Sequence, residues 1–174
     1  MKIKLPVSIG ELCKMKIGEE YELYGNIYTA RDAAHKRFIE TIKCSKELPI
    51  DIDNCAIFYT GPCPPRPGMA IGSIGATTSN RMDPYIAPLL ERGMKIMIGK
   101  GTRENYVSDL CKKYKAVYLL TYGGAAALYS KSIKKAEIVA YEDLGTEAVR
   151  LLYVEDFKVI VGIDTSGNVL QKIS

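Results

Sequence analysis

The chain has 174 residues, of which 47% are hydrophobic and 25% charged. That is the make-up of one ordinary globular domain, residues 1–174, with enough apolar material for a core. Its net charge of +4 comes without a Lys/Arg block or an RNA-type aromatic motif, so nucleic acid is not an expected partner. No apolar run is long enough for a bilayer and no signal peptide is visible, so the expectation is a cytoplasmic protein without membrane contact. Cys13, Cys44, Cys55, Cys63 and Cys111 are odd in number and lack C-x-x-C spacing, which argues against a disulfide framework or zinc site. One histidine argues against a His-based metal site.

Lys2–Val7 alternates like a strand and runs into Pro6 and Gly10. Gly18 turns the chain into Tyr21–Tyr28, a strand by its aromatic and β-branched content. Thr29 and Asp32 have capping-box spacing, so a helix is expected to about Lys46, with Ala34, Phe38 and Ile42 at helical spacing. Arg31 then falls in the first turn, against the dipole's preference for acids; it is a surface charge or an anion clamp. His35, one turn on, is expected on the helix surface rather than as a base. Ala56–Thr60 reads as a buried strand. The proline-rich 61–68 stretch excludes helix and central strand, because Pro fixes φ and has no N–H. It leads into a short expected strand, Ala70–Ile74.

Next comes Gly72-Ser73-Ile74-Gly75-Ala76-Thr77-Thr78-Ser79-Asn80-Arg81. Two glycines permit tight turns and close approach, and three hydroxyls and a guanidinium follow. Such a loop can hold a carboxylate or phosphate, although the same composition suits an ordinary loop. It lacks the Gly-Lys-Ser/Thr ending of a Walker loop. Asp83 is the expected N-cap and Pro84 the first residue of a helix ending near Arg92 and Gly93. Met94–Ile98 reads as a strand, and Thr102 as the cap of a helix through about Tyr114. Ala116–Tyr122 reads as a strand, followed by a small-residue helix after Gly123-Gly124. Ile133–Tyr141, Ala148–Val154 and Phe157–Ile163 read as strands. A turn at 164–168 leads to a last edge strand, Val169–Ile173.

Alternating strands and helices imply crossovers, hence an α/β fold with a mostly parallel central sheet. The β-rich ends are expected to add a second sheet layer. Ligands of open α/β sheets sit beyond the carboxyl ends of the strands. Three strand-to-helix turns there carry Arg31, Arg81, and Lys100 with Arg103. Together with Thr77, Thr78 and Ser79 they suit a small polyanion such as a dicarboxylate. No paired carboxylates, well-placed histidine or metal-ligand cluster accompany them, so the residues alone read as an anion site whose reactive group comes from elsewhere.

Gly72–Asp83, then Gly99-Lys100-Gly101-Thr102-Arg103, then Gly123-Gly124-Ala125-Ala126-Ala127 resemble the β region of iron–sulfur hydro-lyases. That region is the C-terminal part of class I fumarate hydratase and the separate β subunit of fumarate and L-tartrate dehydratases. Ala76 and Asn80 stand where the family often has Pro and Gly. The resemblance implies a swivelling β/β/α domain and reversible hydration of fumarate to L-malate. It implies a [4Fe–4S] cluster carried by an α subunit, with no cluster ligand and no metal in this chain. It matches Thr77 to a proposed catalytic base, and Arg81 and Lys100 to contacts with a C4 dicarboxylate substrate. Arg31 matches a further substrate arginine by its place after the second strand. A β-subunit homodimer is compatible with it. L-tartrate dehydratase is the enzymatic alternative, and a stand-alone small-anion-binding module is the alternative from another class.

Overall fold

A computed structural model describes residues 1–171. In chain order its elements are β1 (Lys2–Lys4), α1 (Ile9–Leu12), β2 (Glu20–Thr29), α2 (Asp32–Lys43) and β3 (Ala56–Phe58). Then come α3 (Asp83–Glu91), β4 (Ile96–Gly99), α4 (Asn105–Tyr114) and β5 (Val117–Leu120). Helix α5 (Ala126–Ser132), β6 (Ile133–Ala140) and β7 (Val149–Ile163) complete the set. Short 3-10 segments cover Ser79–Met82 and Glu142–Glu147. Among the described residues no helix is long and apolar enough to cross a membrane.

The fold is α/β with one mixed sheet of seven strands, ordered β1-β2-β3-β4-β5-β7-β6. β1 to β5 pair in parallel, which for β2 to β5 is what the expected crossovers predict. β7 runs antiparallel to β5, β6 and also β2. Strands β2, β3, β4, β5 and β7 therefore close on one another, and the expected second sheet layer does not form. The reason is the length of β7. Ala148–Val154 and Phe157–Ile163, expected as two strands, are joined into one of 15 residues. Asp156 takes φ 53 between them, opposite a register shift at Leu23/Gly25, which marks a bulge that bends the strand without ending it.

Side chains alternate as the pleat requires. Ala56, Phe58, Ile96, Ile98, Val117 and Leu119 face the core enclosed by the ring. Ile57, Met97 and Tyr118 face a second core, covered by Phe38 of α2, Leu89 of α3 and Val107 of α4. Full burial of a side chain such as Phe38 contributes roughly 1.5–3 kcal/mol.

Several local expectations are corrected. Ala70–Ile74 is not a strand; prolines 62, 64, 65 and 67 opposite it have no N–H to build a ladder. Thr29 does not cap α2: its hydroxyl accepts from the Arg150 N–H at 3.0 Å, and the N-cap is Arg31 without a side-chain bond. Helix α2 ends at Lys43, short of Lys46. Asp83 lies within α3 and Thr102 lies ahead of the N-cap of α4, which is Glu104. Pro84 is in the first turn of α3, as expected. Among the described residues of the expected last strand only Val169 forms a bridge, to Ile163; Lys172 and Ile173 lie outside the described residues.

Candidate functional site

Because β2, β3 and β4 are parallel neighbours, their carboxyl ends lie along one edge of the sheet. Arg31 follows β2, Tyr59 and Thr60 follow β3, and Lys100 follows β4. The 72–81 loop is drawn onto that edge by its backbone. Ser73 O accepts from the Cys63 N–H at 2.9 Å, and Gly75 O accepts from the Thr60 hydroxyl at 2.7 Å. Thr60 and Ala76 form an antiparallel bridge, and Thr77 donates its N–H to Tyr59 O at 2.7 Å. Thr78 and Lys100 then form a parallel bridge, sealed by the Ser79 N–H donating to Lys100 O at 3.0 Å. Gly72 is needed for this path: a Cβ there would stand 2.3 Å from Pro64 O and 2.4 Å from Cys63 O.

Thr77 is half-buried, while Arg81 and Lys100 are exposed. Arg81 Nε donates to Asp32 Oδ1 at 3.0 Å, tying the loop to the start of α2. Arg31 packs on Gly61, and its Nε lies 3.8 Å from Glu147 Oε1 without forming a hydrogen bond. Among the described residues no carboxylate comes within salt-bridge distance of Lys100. Thr77, Arg81, Lys100 and Arg31 thus share one sheet edge. Three cations with only two carboxylates beside them leave it net positive, which suits an anion.

Two expectations fail beneath this edge. Arg103 turns inward instead of joining the other cations: its side chain is 2% exposed, paired through Nε with Asp83, which is 1% exposed. The other Asp83 oxygen accepts the Glu104 N–H at 2.8 Å and so caps α4 from another helix. Its guanidinium carbon sits 4.7 Å from the Tyr118 ring centroid and 5.4 Å from that of Tyr59. Its pKa is raised: burial alone would lower it, but Tyr59 and Asp83 outweigh that cost. His35 is fully buried, not on the surface. Its ring stacks edge-on against Tyr59 at 5.3 Å, and Nδ1 bonds Arg31 O at 2.8 Å. Burial lowers its pKa to about 4, so it is neutral at pH 7, with Nδ1–H donating and Nε2 bare.

Asp32 and Glu147 are additions to the residues the sequence points to: Asp32 carries only a capping signal there, and Glu147 is distant in sequence from Arg31. Two clefts of about 720 Å³ and 550 Å³ lie elsewhere, one around Gly123-Gly124 and the other around Gly101 and Leu170; Thr77, Arg81 and Lys100 line neither. The candidate site is an open edge, not an enclosed pocket. Among the described residues no three Cys, His, Asp or Glu side chains are grouped to hold a metal ion. Cys55 and Cys111 are buried, with burial raising both thiol pKa values, that of Cys111 to about 12.

A family model described as Fumarase C-terminus matches residues 1–173. "Fumarate hydratase class I, anaerobic" of Escherichia coli K12 is 40% identical over 162 residues, covering 92% of this chain and 30% of that protein. "Fumarate hydratase 1, mitochondrial" of Leishmania major is 37% identical over 166 residues, covering 94% of this chain and 30% of that protein. The chain therefore spans about 30% of the length of these fumarate hydratases. "L(+)-tartrate dehydratase subunit beta" of Escherichia coli K12 is 32% identical over 168 residues, covering 94% of this chain and 82% of that subunit.

Proposed function

The chain belongs to the Fumarase C-terminus family, and on that premise we propose that it is the β subunit of a two-subunit fumarate hydratase, acting with an α subunit on the reversible hydration of fumarate to L-malate. What supports the reading is the convergence of Thr77, Arg81, Lys100 and Arg31 on one open, positive edge. An edge of this kind is half a site; a partner subunit closing over it would exclude water and strengthen every charge contact there.

In this reading Arg81 and Arg31 hold the two carboxylates of a C4 dicarboxylate, and Lys100 contacts its hydroxyl. Arg81 uses Nε for Asp32, which leaves its two terminal nitrogens as a fork for a carboxylate. In the dehydration direction Thr77 Oγ1 takes the proton from the carbon beside one carboxylate. A threonine hydroxyl is a weak base at its free pKa. The adjacent cations favour its alkoxide and the enolate-like charge that develops on the carboxylate. This reading puts a [4Fe–4S] cluster on the α subunit, where one iron free of protein ligands would supply Lewis-acid chemistry to the hydroxyl. The residues of this chain do not fit the role of holding it. Cys13, Cys44 and Cys63 are dispersed over the surface, and Cys55 and Cys111 are buried thiols.

A second reading, L-tartrate dehydratase β subunit, is favoured by coverage: the chain matches 82% of such a subunit's length. Reconstitution with the α chain and assay on fumarate, L-malate and L-tartrate separates the two. The expected result is turnover of fumarate and malate by the pair and none by this chain alone. Turnover of tartrate alone selects the second reading. Robust fumarate hydration by the isolated chain overturns the two-subunit reading.

A further inference from the structure

Four polar side chains that the proposed chemistry does not use, His35, Asp83, Arg103 and Tyr118, lie buried directly under the candidate edge, with Tyr59 among them. Buried polar groups are costly. Replacing a buried ion pair by apolar side chains of similar volume is often neutral or stabilising. Here His35 Nε2, Tyr59 Oη and Arg103 Nη2 are buried without a protein partner, and each such group opposes folding by its lost hydration. Fold stability alone gives no reason for this cluster to sit among Phe38, Met97 and Val107.

Its connections supply one. Three of the four candidate residues, Arg31, Thr77 and Lys100, have a main-chain group tied directly or through Ser79 to this cluster, and Arg81 lies two residues before its Asp83. Arg31 O is bonded by His35 Nδ1 at 2.8 Å. The Thr77 N–H is bonded to Tyr59 O at 2.7 Å, and the Tyr59 ring lies against both His35 and Arg103. Lys100 donates its N–H to Ser79 Oγ at 3.0 Å. Tyr118 Oη lies 2.9 Å from that Oγ and 3.0 Å from Gly101 O. The protons balance if Ser79 gives its own to Tyr118 and Tyr118 gives its own to Gly101 O. Asp83, two residues after Arg81, is pinned by Arg103, three residues after Lys100. The 72–81 loop and the Lys100 turn are therefore locked to each other from below, at a point where a single isolated bridge, Thr78 to Lys100, joins them.

Resting on the reading that this edge receives a dicarboxylate, we propose that Arg103 and Asp83 are positioning residues, whose buried pair, with the Tyr118–Ser79 relay, sets the spacing between Lys100 and the Thr77–Arg81 loop. The pair touches no substrate. It preorganises groups that do, which is how supporting contacts raise affinity without contributing a ligand.

The test compares Asp83→Asn, Arg103→Met and the milder Tyr118→Phe with Leu12→Ala, a core change in α1, in the assembled α/β enzyme. Two quantities are read at a temperature well below every Tm: amide hydrogen exchange at Ser79 and Lys100, and the affinity for succinate, a C4 dicarboxylate that cannot be hydrated. The expected result is exchange at those two amides at least about 10-fold faster and succinate affinity about 10-fold weaker in Asp83→Asn and Arg103→Met. Tyr118→Phe shows the same signs at smaller size, and keeps the test alive if the charge variants do not fold. Leu12→Ala lowers Tm but leaves both quantities within about twofold. The proposal is overturned if the variants that fold lose Tm while Ser79, Lys100 and succinate affinity behave as in Leu12→Ala. Wild-type enzyme that neither binds succinate nor hydrates fumarate sinks the functional reading instead, and the exchange data still decide whether the pair orders the loop.

Discussion

Arg81 Nε donates to Asp32 Oδ1 at 3.0 Å, so the candidate carboxylate clamp is anchored by the first residue of α2. The anchor uses the one guanidinium nitrogen that a bidentate contact through Nη1 and Nη2 does not need. Lysine has a single ammonium and cannot serve Asp32 and a substrate with the same geometry. Arg81→Lys is therefore expected to raise KM for malate at least about 10-fold, the scale of one charge-assisted hydrogen bond. Asp32→Asn keeps the size, weakens the anchor and should raise KM by a smaller factor, with kcat less affected. Steady-state kinetics on the reconstituted pair check both. An unchanged KM in Arg81→Lys removes Arg81 from the substrate.

Gly99 ends β4 at the point where Ser79 crosses it. A Cβ there would lie 1.9 Å from Ser79 Oγ and 3.1 Å from the Tyr59 ring. Gly99→Ala must push Ser79 off Lys100, and overpacking of this kind typically costs about 1–3 kcal/mol. The double variant Gly99→Ala/Ser79→Ala removes the clashing oxygen and should recover part of that stability, while losing the Lys100 N–H acceptor. Denaturant melts of the singles and the double give the coupling directly. Additive losses would show that the two residues do not meet as described.

The parallel pairing of β2 to β5 was legible in the sequence because strand and helix periods alternate there, while that of β1 with β2 was not, since the helix between them, α1, is only four residues long. Thr77, Arg81 and Lys100 were legible because they stand in two long motifs at consecutive strand ends. Arg103 stands in the same motif as Lys100 and was expected beside it, yet it is buried. Nothing local distinguishes an arginine aimed at solvent from one aimed at Asp83, 20 residues earlier. His35 misled for a related reason: a polar residue one turn from Arg31 reads as surface until Tyr59 and the Arg31 carbonyl are placed around it. The closure of the sheet was also hidden. It depends on β7 pairing with β2, whose partners lie more than 120 residues away, and on a bulge at Asp156 that looks like a strand break.

Stability should fall on mild acidification, and His35 is the residue responsible. Burial lowers its pKa to about 4 from an ordinary 6.5. Between those values the unfolded chain binds a proton that the folded chain refuses, so stability rises with pH through this window and is lost as pH falls through it. The loss between pH 7 and pH 5 should be about 2 kcal/mol from this group. The chain has one histidine, so His35→Gln should flatten the pH dependence whatever it does to absolute stability. Urea melts at pH 5 and pH 7 measure the difference. Equal pH dependence in both proteins would show that His35 is not the titrating group.

Thr77 separates binding from proton transfer. Its N–H is fixed on Tyr59 O at 2.7 Å, so the backbone holds the residue in place whatever its side chain is. Thr77→Val keeps the branched shape and removes only the hydroxyl, and the main-chain bond should survive. The carboxylate clamps at Arg81 and Arg31 are untouched, so KM should change little. If Oγ1 moves the proton, kcat should drop about 10²–10⁴-fold, the usual contribution of a positioned acid or base. Serine returns the hydroxyl without the methyl, so Thr77→Ser should recover much of the lost rate, which a purely steric role would not allow. The comparison is made on the reconstituted pair with iron content matched. Near-normal kcat in Thr77→Val would leave Arg81, Arg31 and Lys100 as a dicarboxylate-binding edge and move the base to the partner subunit.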